Sequence, residues 1–304
     1  MRVLGGDELR RALPMSAAID ALEAGFRSQD PSAQPLRSHL ATPAGSLLLM
    51  PAFGDGGVGV KLVTLTPDNP GRRLPFIGGV YVLFDAVTQT PDAVLDGAAL
   101  TALRTAAVSG LATRHLANPD AERLVIFGAG VQARSHLEAM LAVRPIRHVS
   151  VVSRTLERAR ALVAEARDRG VTADVGDVDA VADADVVCTC TTSDEPLFEG
   201  GRLAAGAHVN AVGSYRPTSR ELDTTAMLRA RVVVETRDAA LAEAGELAIP
   251  IGQGTFGPEH VVADLAEVVR GAQVRSAPTD VTVFKSVGLA FEDLIVARAA
   301  VDAA

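Results

Sequence analysis

The stretch Gly128-Ala129-Gly130-Val131-Gln132-Ala133 has the residue types that hold a diphosphate. It follows the apolar run Leu124-Val125-Ile126-Phe127 and opens a segment of helical period, so a strand feeds a tight turn into a helix N-terminus. Unpaired N–H groups and the positive end of the helix dipole meet there, which is what a dinucleotide's phosphates need. Gly128 permits the turn, Gly130 lets the diphosphate approach the backbone, and small Ala133 lets the helix sit close to the strand, with Val131 and Gln132 in the first helical turn. A purely structural strand-to-helix turn is the bland alternative. Gly54-Asp55-Gly56-Gly57-Val58-Gly59 matches the same letters, but a strand-like run, Val60-Lys61-Leu62-Val63, follows it. With no helix to supply a dipole, a hairpin turn is expected at that position.

The next strand should end beside the adenosine ribose, where an acidic residue marks NAD. Here the strand ends in Ser153-Arg154-Thr155. A hydroxyl followed by a guanidinium suits a 2′-phosphate, so NADP(H) is the expected cofactor and NAD(H) the alternative. A solvated loop charge is the other reading of Arg154. Thr191, just past a later strand, is also assigned to the cofactor side.

Three cations invite a second chemistry. Lys61 sits in a strand whose two faces are otherwise apolar, so its ammonium must reach solvent or meet an anion. Arg104 shares a helical stripe with Leu100 and Val108. It reads either as a ligand for a substrate carboxylate or as half of an internal ion pair with an acid such as Asp85 or Asp96. Arg37 taken alone defaults to the surface.

Other chemistries lack their cues. The six histidines show no i, i+4 pairing and no Cys or acidic neighbour at ligand spacing, so no metal site is expected. The two cysteines, Cys188 and Cys190, lie on one strand, where they pack without forming a disulfide framework. No Gly-x-Ser-x-Gly turn of a serine hydrolase occurs. A net charge of −8 with dispersed basic residues argues against nucleic acid. No secretory leader and no apolar run near the roughly 20 residues of a membrane span is visible, so the chain reads as cytoplasmic.

The elements that must position these residues are legible from periodicity. From about residue 123 onward, Val-rich runs at 124–127, 149–153, 172–175, 185–190, 207–212, 231–235 and 282–284 alternate with helical stretches at 132–143, 156–169, 221–230 and 263–270. This predicts an α/β fold: a Rossmann-type doubly wound parallel sheet over residues 119–288. Strands at 46–50, 58–66 and 79–85 and a helix at 100–116 predict an N-terminal α+β domain for substrate binding and dimerisation over residues 1–118. A helix at 290–303 is expected to pack back on that first domain.

Several segments together carry a family resemblance. Leu49-Met50-Pro51-Ala52, Lys61-Leu62-Val63-Thr64, the run 100–107 around Arg104, the turn at Gly128, Asn210-Ala211-Val212-Gly213 and the run 282–288 ending Lys285-Ser286-Val287-Gly288 are similar to the ornithine cyclodeaminase/mu-crystallin family over the whole length. The resemblance implies a homodimer with the nicotinamide between two domains. It places the ligands of the substrate carboxylate on Arg37, Lys61 and Arg104, and sets Ser286 beside the cofactor and Val287 beside the substrate.

Departures from the family pattern narrow the reaction. Ornithine cyclodeaminases carry a glutamate two residues before Met-Pro to hold a distal amine; Leu48 stands here. They carry an aspartate two residues after Asn-Ala-Val-Gly; Tyr215 stands here. An ammonium beside leucine would be costly, so a diamine fits poorly. The expectation is NADPH-dependent reduction of a cyclic imine carboxylate, pyrroline- or piperideine-2-carboxylate, with Lys61 as the catalytic proton donor. Ornithine cyclodeaminase or amino-acid dehydrogenase activity is the first alternative, and a crystallin-like binder without turnover is the second.

Overall fold

In the computed structural model, which describes residues 1–304 apart from the side chain of Pro70, contacts divide the chain into two units. Met1–Thr105 and Leu289–Ala304 form the first, and Ala106–Gly288 the second. The elements up to the division are β1 (Arg2–Leu4), α1 (Gly6–Ala12), α2 (Met15–Ser28), β2 (Ser38–Thr42), β3 (Gly45–Gly54), β4 (Gly57–Leu65), β5 (Ile77–Phe84), β6 (Pro91–Asp96) and α3 (Gly97–Leu116). Then follow β7 (Arg123–Phe127), α4 (Val131–Val143), β8 (His148–Val152), α5 (Leu156–Asp168), β9 (Thr172–Val175), β10 (Val186–Thr189), β11 (His208–Ala211) and α6 (Thr224–Arg229). The chain ends with β12 (Ala230–Val234), α7 (Arg237–Glu243), α8 (Gly245–Gly252), β13 (Val261–Asp264), α9 (Leu265–Val269), β14 (Val281–Lys285) and α10 (Ala290–Ala303). The division falls inside α3, whereas the Asn118-Pro119-Asp120 turn lies within the second unit.

The first unit is a six-stranded sheet in the order β1-β6-β5-β4-β3-β2, antiparallel except for the parallel pair β1 and β6. Alternation sorts its residues onto two faces. Leu48, Met50, Ala52, Gly59, Lys61, Val63, Tyr81 and Leu83 are buried on the side that α10 covers. On the opposite face Leu47, Leu49, Val58, Val60, Leu62, Val80 and Val82 remain partly or fully exposed. Strands β1, β2 and β6 escape sequence reading because they are three to six residues long and, in β2, exposed throughout.

The second unit is an eight-stranded, wholly parallel sheet in the order β13-β12-β14-β11-β10-β7-β8-β9. Its central strands β10, β11 and β14 are buried at every position and β7 at all but its first residue, as burial on both faces of a parallel sheet demands, whereas the edge strands β9 and β13 are partly exposed. Two helices start later than periodicity suggests, because a cap fixes each N-terminus. The Asp223 carboxylate accepts from the Ala226 amide, so α6 begins at Thr224 and Glu221 stays outside it. Asp264 and Glu267 form a capping box that starts α9 and leaves residues 261–264 as a strand. No described helix is long and apolar enough to cross a membrane.

Candidate active site

At the end of β7 the chain turns sharply at Gly128, whose φ of +101° is open to glycine and strained for any other residue. A Cβ there would also lie 2.4 Å from the Cys190 carbonyl oxygen, so the position excludes side chains twice over. Gly130 caps α4, and a Cβ built on it meets nothing within 4 Å. Backbone at the start of a thirteen-residue helix is therefore open to an incoming group, while Ala133 is fully buried against the sheet. Val131 is 67% exposed beside this opening, with Gln132 next to it. These residues fit a dinucleotide diphosphate. The look-alike at Gly54 is a hairpin: Gly54 pairs with Gly57 across the β3–β4 turn, and Gly57 takes a φ of +113°.

At the end of β8 the Ser153 hydroxyl accepts from the Thr155 amide at 3.2 Å, and the Arg154 side chain is exposed. Thr191, beyond β10, is anchored by a buried carboxylate: its amide and hydroxyl donate to Glu221 Oε1 at 2.8 and 2.6 Å. The same carboxylate accepts from the Thr189 hydroxyl and, at 2.8 Å, from the Gly213 amide, so one side chain fixes the loops after β10 and β11. Burial raises the Glu221 pKa, opposed by the Lys285 charge and by these donors. Ser286 and Val287 follow β14, and Glu235 holds both: it accepts from the Ser286 hydroxyl at 2.6 Å and from the Val287 amide at 2.8 Å.

The first unit gathers the cations. Lys61 and Arg104 are both buried, and both meet carboxylates in the first turn of α10. The Lys61 ammonium lies 2.8 Å from each oxygen of Asp293. Arg104 donates from Nε to Asp293 Oδ1 at 3.1 Å and from Nη1 to Glu292 Oε2 at 2.8 Å. The ion-pair partners of Arg104 are thus Glu292 and Asp293, not Asp85 or Asp96, which are used in turns. Asp85 accepts from Val87 and Thr88, and Asp96 from the Ala98 and Ala99 amides at the start of α3. Desolvation lowers the Lys61 pKa to about 8, helped by the Arg104 and Arg37 charges and opposed by Asp293. Arg37, just before β2, is half-buried. Cross-strand register sets Met50 and Tyr81 on either side of Lys61, and Leu48 opposite Val63 on the same buried face.

A sequence profile of the ornithine cyclodeaminase/mu-crystallin family matches residues 3–304. The chain belongs to this family. Among ornithine cyclodeaminase/mu-crystallin relatives, a Delta(1)-pyrroline-2-carboxylate reductase from Bacillus cereus is 38% identical over 98% of this chain and 95% of its own length. The Thermococcus litoralis Delta(1)-pyrroline-2-carboxylate reductase, solved with NADH and L-proline, superposes with a TM-score of 0.93 at 33% identity, covering 100% of this chain and 97% of that one. An archaeal alanine dehydrogenase dimer with bound NAD gives a TM-score of 0.94 at 31% identity, covering 100% and 95%.

Sequence reasoning about this family member missed Glu292, Asp293, Glu221 and Glu235, all fully buried carboxylates. A signal for the first two was present: an acidic pair inside the apolar run 289–297 must find cations if the helix is buried.

Proposed function

We propose that the protein catalyses NADPH-dependent reduction of a cyclic imine carboxylate, of the pyrroline- or piperideine-2-carboxylate type, to the cyclic amino acid. The observation that carries this reading is Lys61: a buried ammonium beside two arginines, with its pKa lowered to about 8, is equipped both to attract a carboxylate and to give up a proton. Arg37, Lys61 and Arg104 hold the carboxylate, with Val287 alongside the substrate. Lys61 Nζ protonates the imine nitrogen, which makes the adjacent carbon electrophilic. Backbone at Gly128, Gly130, Val131, Gln132 and Ala133 holds the diphosphate, with Thr191 and Ser286 on the same side. Once bound, the nicotinamide supplies the hydride that the imine carbon accepts.

Arg154, exposed at the end of β8 and preceded by an oriented hydroxyl, supports NADPH over NADH. Leu48, buried on the face that carries Lys61, supports a substrate without a distal amine. The apolar outer face of the six-stranded sheet, with Val80 43% exposed, supports a homodimer. Reduction of both imines, followed at the nicotinamide absorbance with NADPH and NADH, tests the reading. Ammonia release from ornithine without net cofactor turnover would overturn it.

A further inference from the structure

Val234 and Lys285 stand opposite each other on the neighbouring parallel strands β12 and β14, so the residues that follow them, Glu235 and Ser286, leave the carboxyl end of the sheet side by side. That is the end where doubly wound sheets bind their ligands. Glu235 is fully buried there, and donors ring its carboxylate. Oε2 accepts from the Val287 amide at 2.8 Å and the Gly288 amide at 3.0 Å. Oε1 accepts from the Gly288 amide at 3.0 Å and the Ser286 hydroxyl at 2.6 Å. Backbone N–H groups only donate, so both oxygens act as acceptors, and the proton between Oε1 and Ser286 is the hydroxyl's own. A serine has one O–H and two lone pairs; with the O–H spent on Glu235, Ser286 has only lone pairs left to offer. Ser286 is 2% exposed, so a group that reaches it gives up water, and solvent does not repair a mismatch. Glu221 treats Thr191 in the same way, accepting its hydroxyl proton at Oε1 over 2.6 Å.

We propose that Glu235 is a positioning residue that fixes the hydrogen-bond polarity of Ser286, so that the Ser286 oxygen accepts from the carboxamide N–H2 of the nicotinamide and makes the site specific for a carboxamide. The inference rests on the reading above, which sets Ser286 beside the cofactor and Val287 beside the substrate. Neighbouring residues that serve both lie at the reacting end of the dinucleotide. Phosphates offer acceptors only and are repelled by an oxygen turned this way. Ribose hydroxyls both donate and accept, so polarity does not sort them. The carboxamide has one donor end and one acceptor end, and an acceptor-only partner selects the first and so orients the amide.

Dinucleotides that differ only at the amide test this, and binding rather than turnover is read because they also differ in hydride affinity. NADP+, its thionicotinamide analogue, which keeps the N–H2, and its 3-acetylpyridine analogue, which carries a methyl in that place, are titrated calorimetrically into the full-length protein. The wild type should bind the first two within about threefold of each other and the acetylpyridine analogue at least about tenfold more weakly. Ser286→Ala should close that gap. In Glu235→Gln the amide oxygen belongs at the Oε2 position, where the Val287 and Gly288 amides converge. The new N–H2 then faces Ser286 Oγ and frees its O–H to point outward, so the gap should close there too. A purely structural loss would weaken all these dinucleotides alike and preserve the gap. A gap of unchanged size in either variant would overturn the proposal. If Glu235→Gln does not fold, Ser286→Ala and the wild-type comparison decide the matter, since Ser286 is an acceptor there only while Glu235 takes its proton. Binding of all the dinucleotides without a gap in the wild type would fault this inference and leave the cofactor reading standing; binding of none would overturn both.

Discussion

The ammonium of Lys61 and the carboxylate of Asp293 are 232 residues apart in sequence and 2.8 Å apart in space. Their contact ties β4 to α10 and sets how firmly Lys61 holds its proton. Desolvation, Arg104 and Arg37 favour the neutral amine, Asp293 favours the ammonium, and the balance lies at about 8. The proposed donor is the protonated form, so kcat/KM for imine reduction should be level below pH 8 and fall about tenfold per unit above it. Lys61→Met should cost roughly 100-fold or more in kcat while leaving dinucleotide binding intact. A pH-independent rate, or a Met variant with full activity, would take the proton transfer away from this residue.

Gly128 and Gly130 should fail in different ways. Gly128→Ala places a methyl against the Cys190 carbonyl at a positive φ, so it should destabilise the fold. The Cβ of Gly130→Val meets no protein atom within 4 Å, so the melting temperature should stay close to the wild type while the side chain occupies the opening proposed for the diphosphate. Calorimetric titration with NADPH should show weakening by about tenfold or more. Unchanged affinity in that variant would move the cofactor elsewhere.

Arg154 should separate the two cofactors. An exposed guanidinium contributes little to the fold, so Arg154→Ala should be as stable as the parent. Losing a charge-assisted contact to the 2′-phosphate should raise KM for NADPH by about tenfold and leave KM for NADH nearly unaltered. Equal effects on both would assign Arg154 to the solvent.

The buried histidines predict acid lability. His136 accepts from the Ser109 hydroxyl through Nε2 and donates from Nδ1 to the Gln132 carbonyl, so it is buried as the neutral tautomer. Desolvation lowers its pKa from 6.5 to about 4. Above 6.5 it is neutral whether folded or unfolded; below that the unfolded chain takes the proton first, and stability falls until the folded form also titrates. This single group should cost about 3 kcal/mol by pH 4, and His208, lowered to about 3 by burial, acts in the same direction. Urea midpoints measured from pH 7 to pH 4 should decline, and the decline should be shallower in His136→Asn. An identical slope in the variant would exclude His136 as a source.

Much of the architecture was legible because its causes are local. The parallel strands β7, β8, β10, β12 and β14 are Val-rich runs that periodicity reveals, the shorter β9 and β11 show in the alternation of strands with helices, and the helical period of residues 290–303 matches α10. The Gly54 hairpin was separable from the Gly128 turn because the residues after each declare a strand or a helix. Strand β13 was lost to a helix reading because Asp264 ends the strand and caps the helix at once, and apolar residues lie on both sides of it.

The sequence by itself determined the strand-to-helix turn at Gly128, the strand that carries Lys61 and the helix that carries Arg104, since each follows from neighbouring residues and their spacing. Which carboxylates answer those cations was decided only by tertiary structure. Glu292 and Asp293 meet Arg104 across 188 and 189 residues of chain, and no local window encodes a contact that exists only because α10 packs on β3, β4 and β5. The physical reason is desolvation: once that packing removes water, a buried charge must be paired, and the pairing partner is whatever the fold has brought within reach.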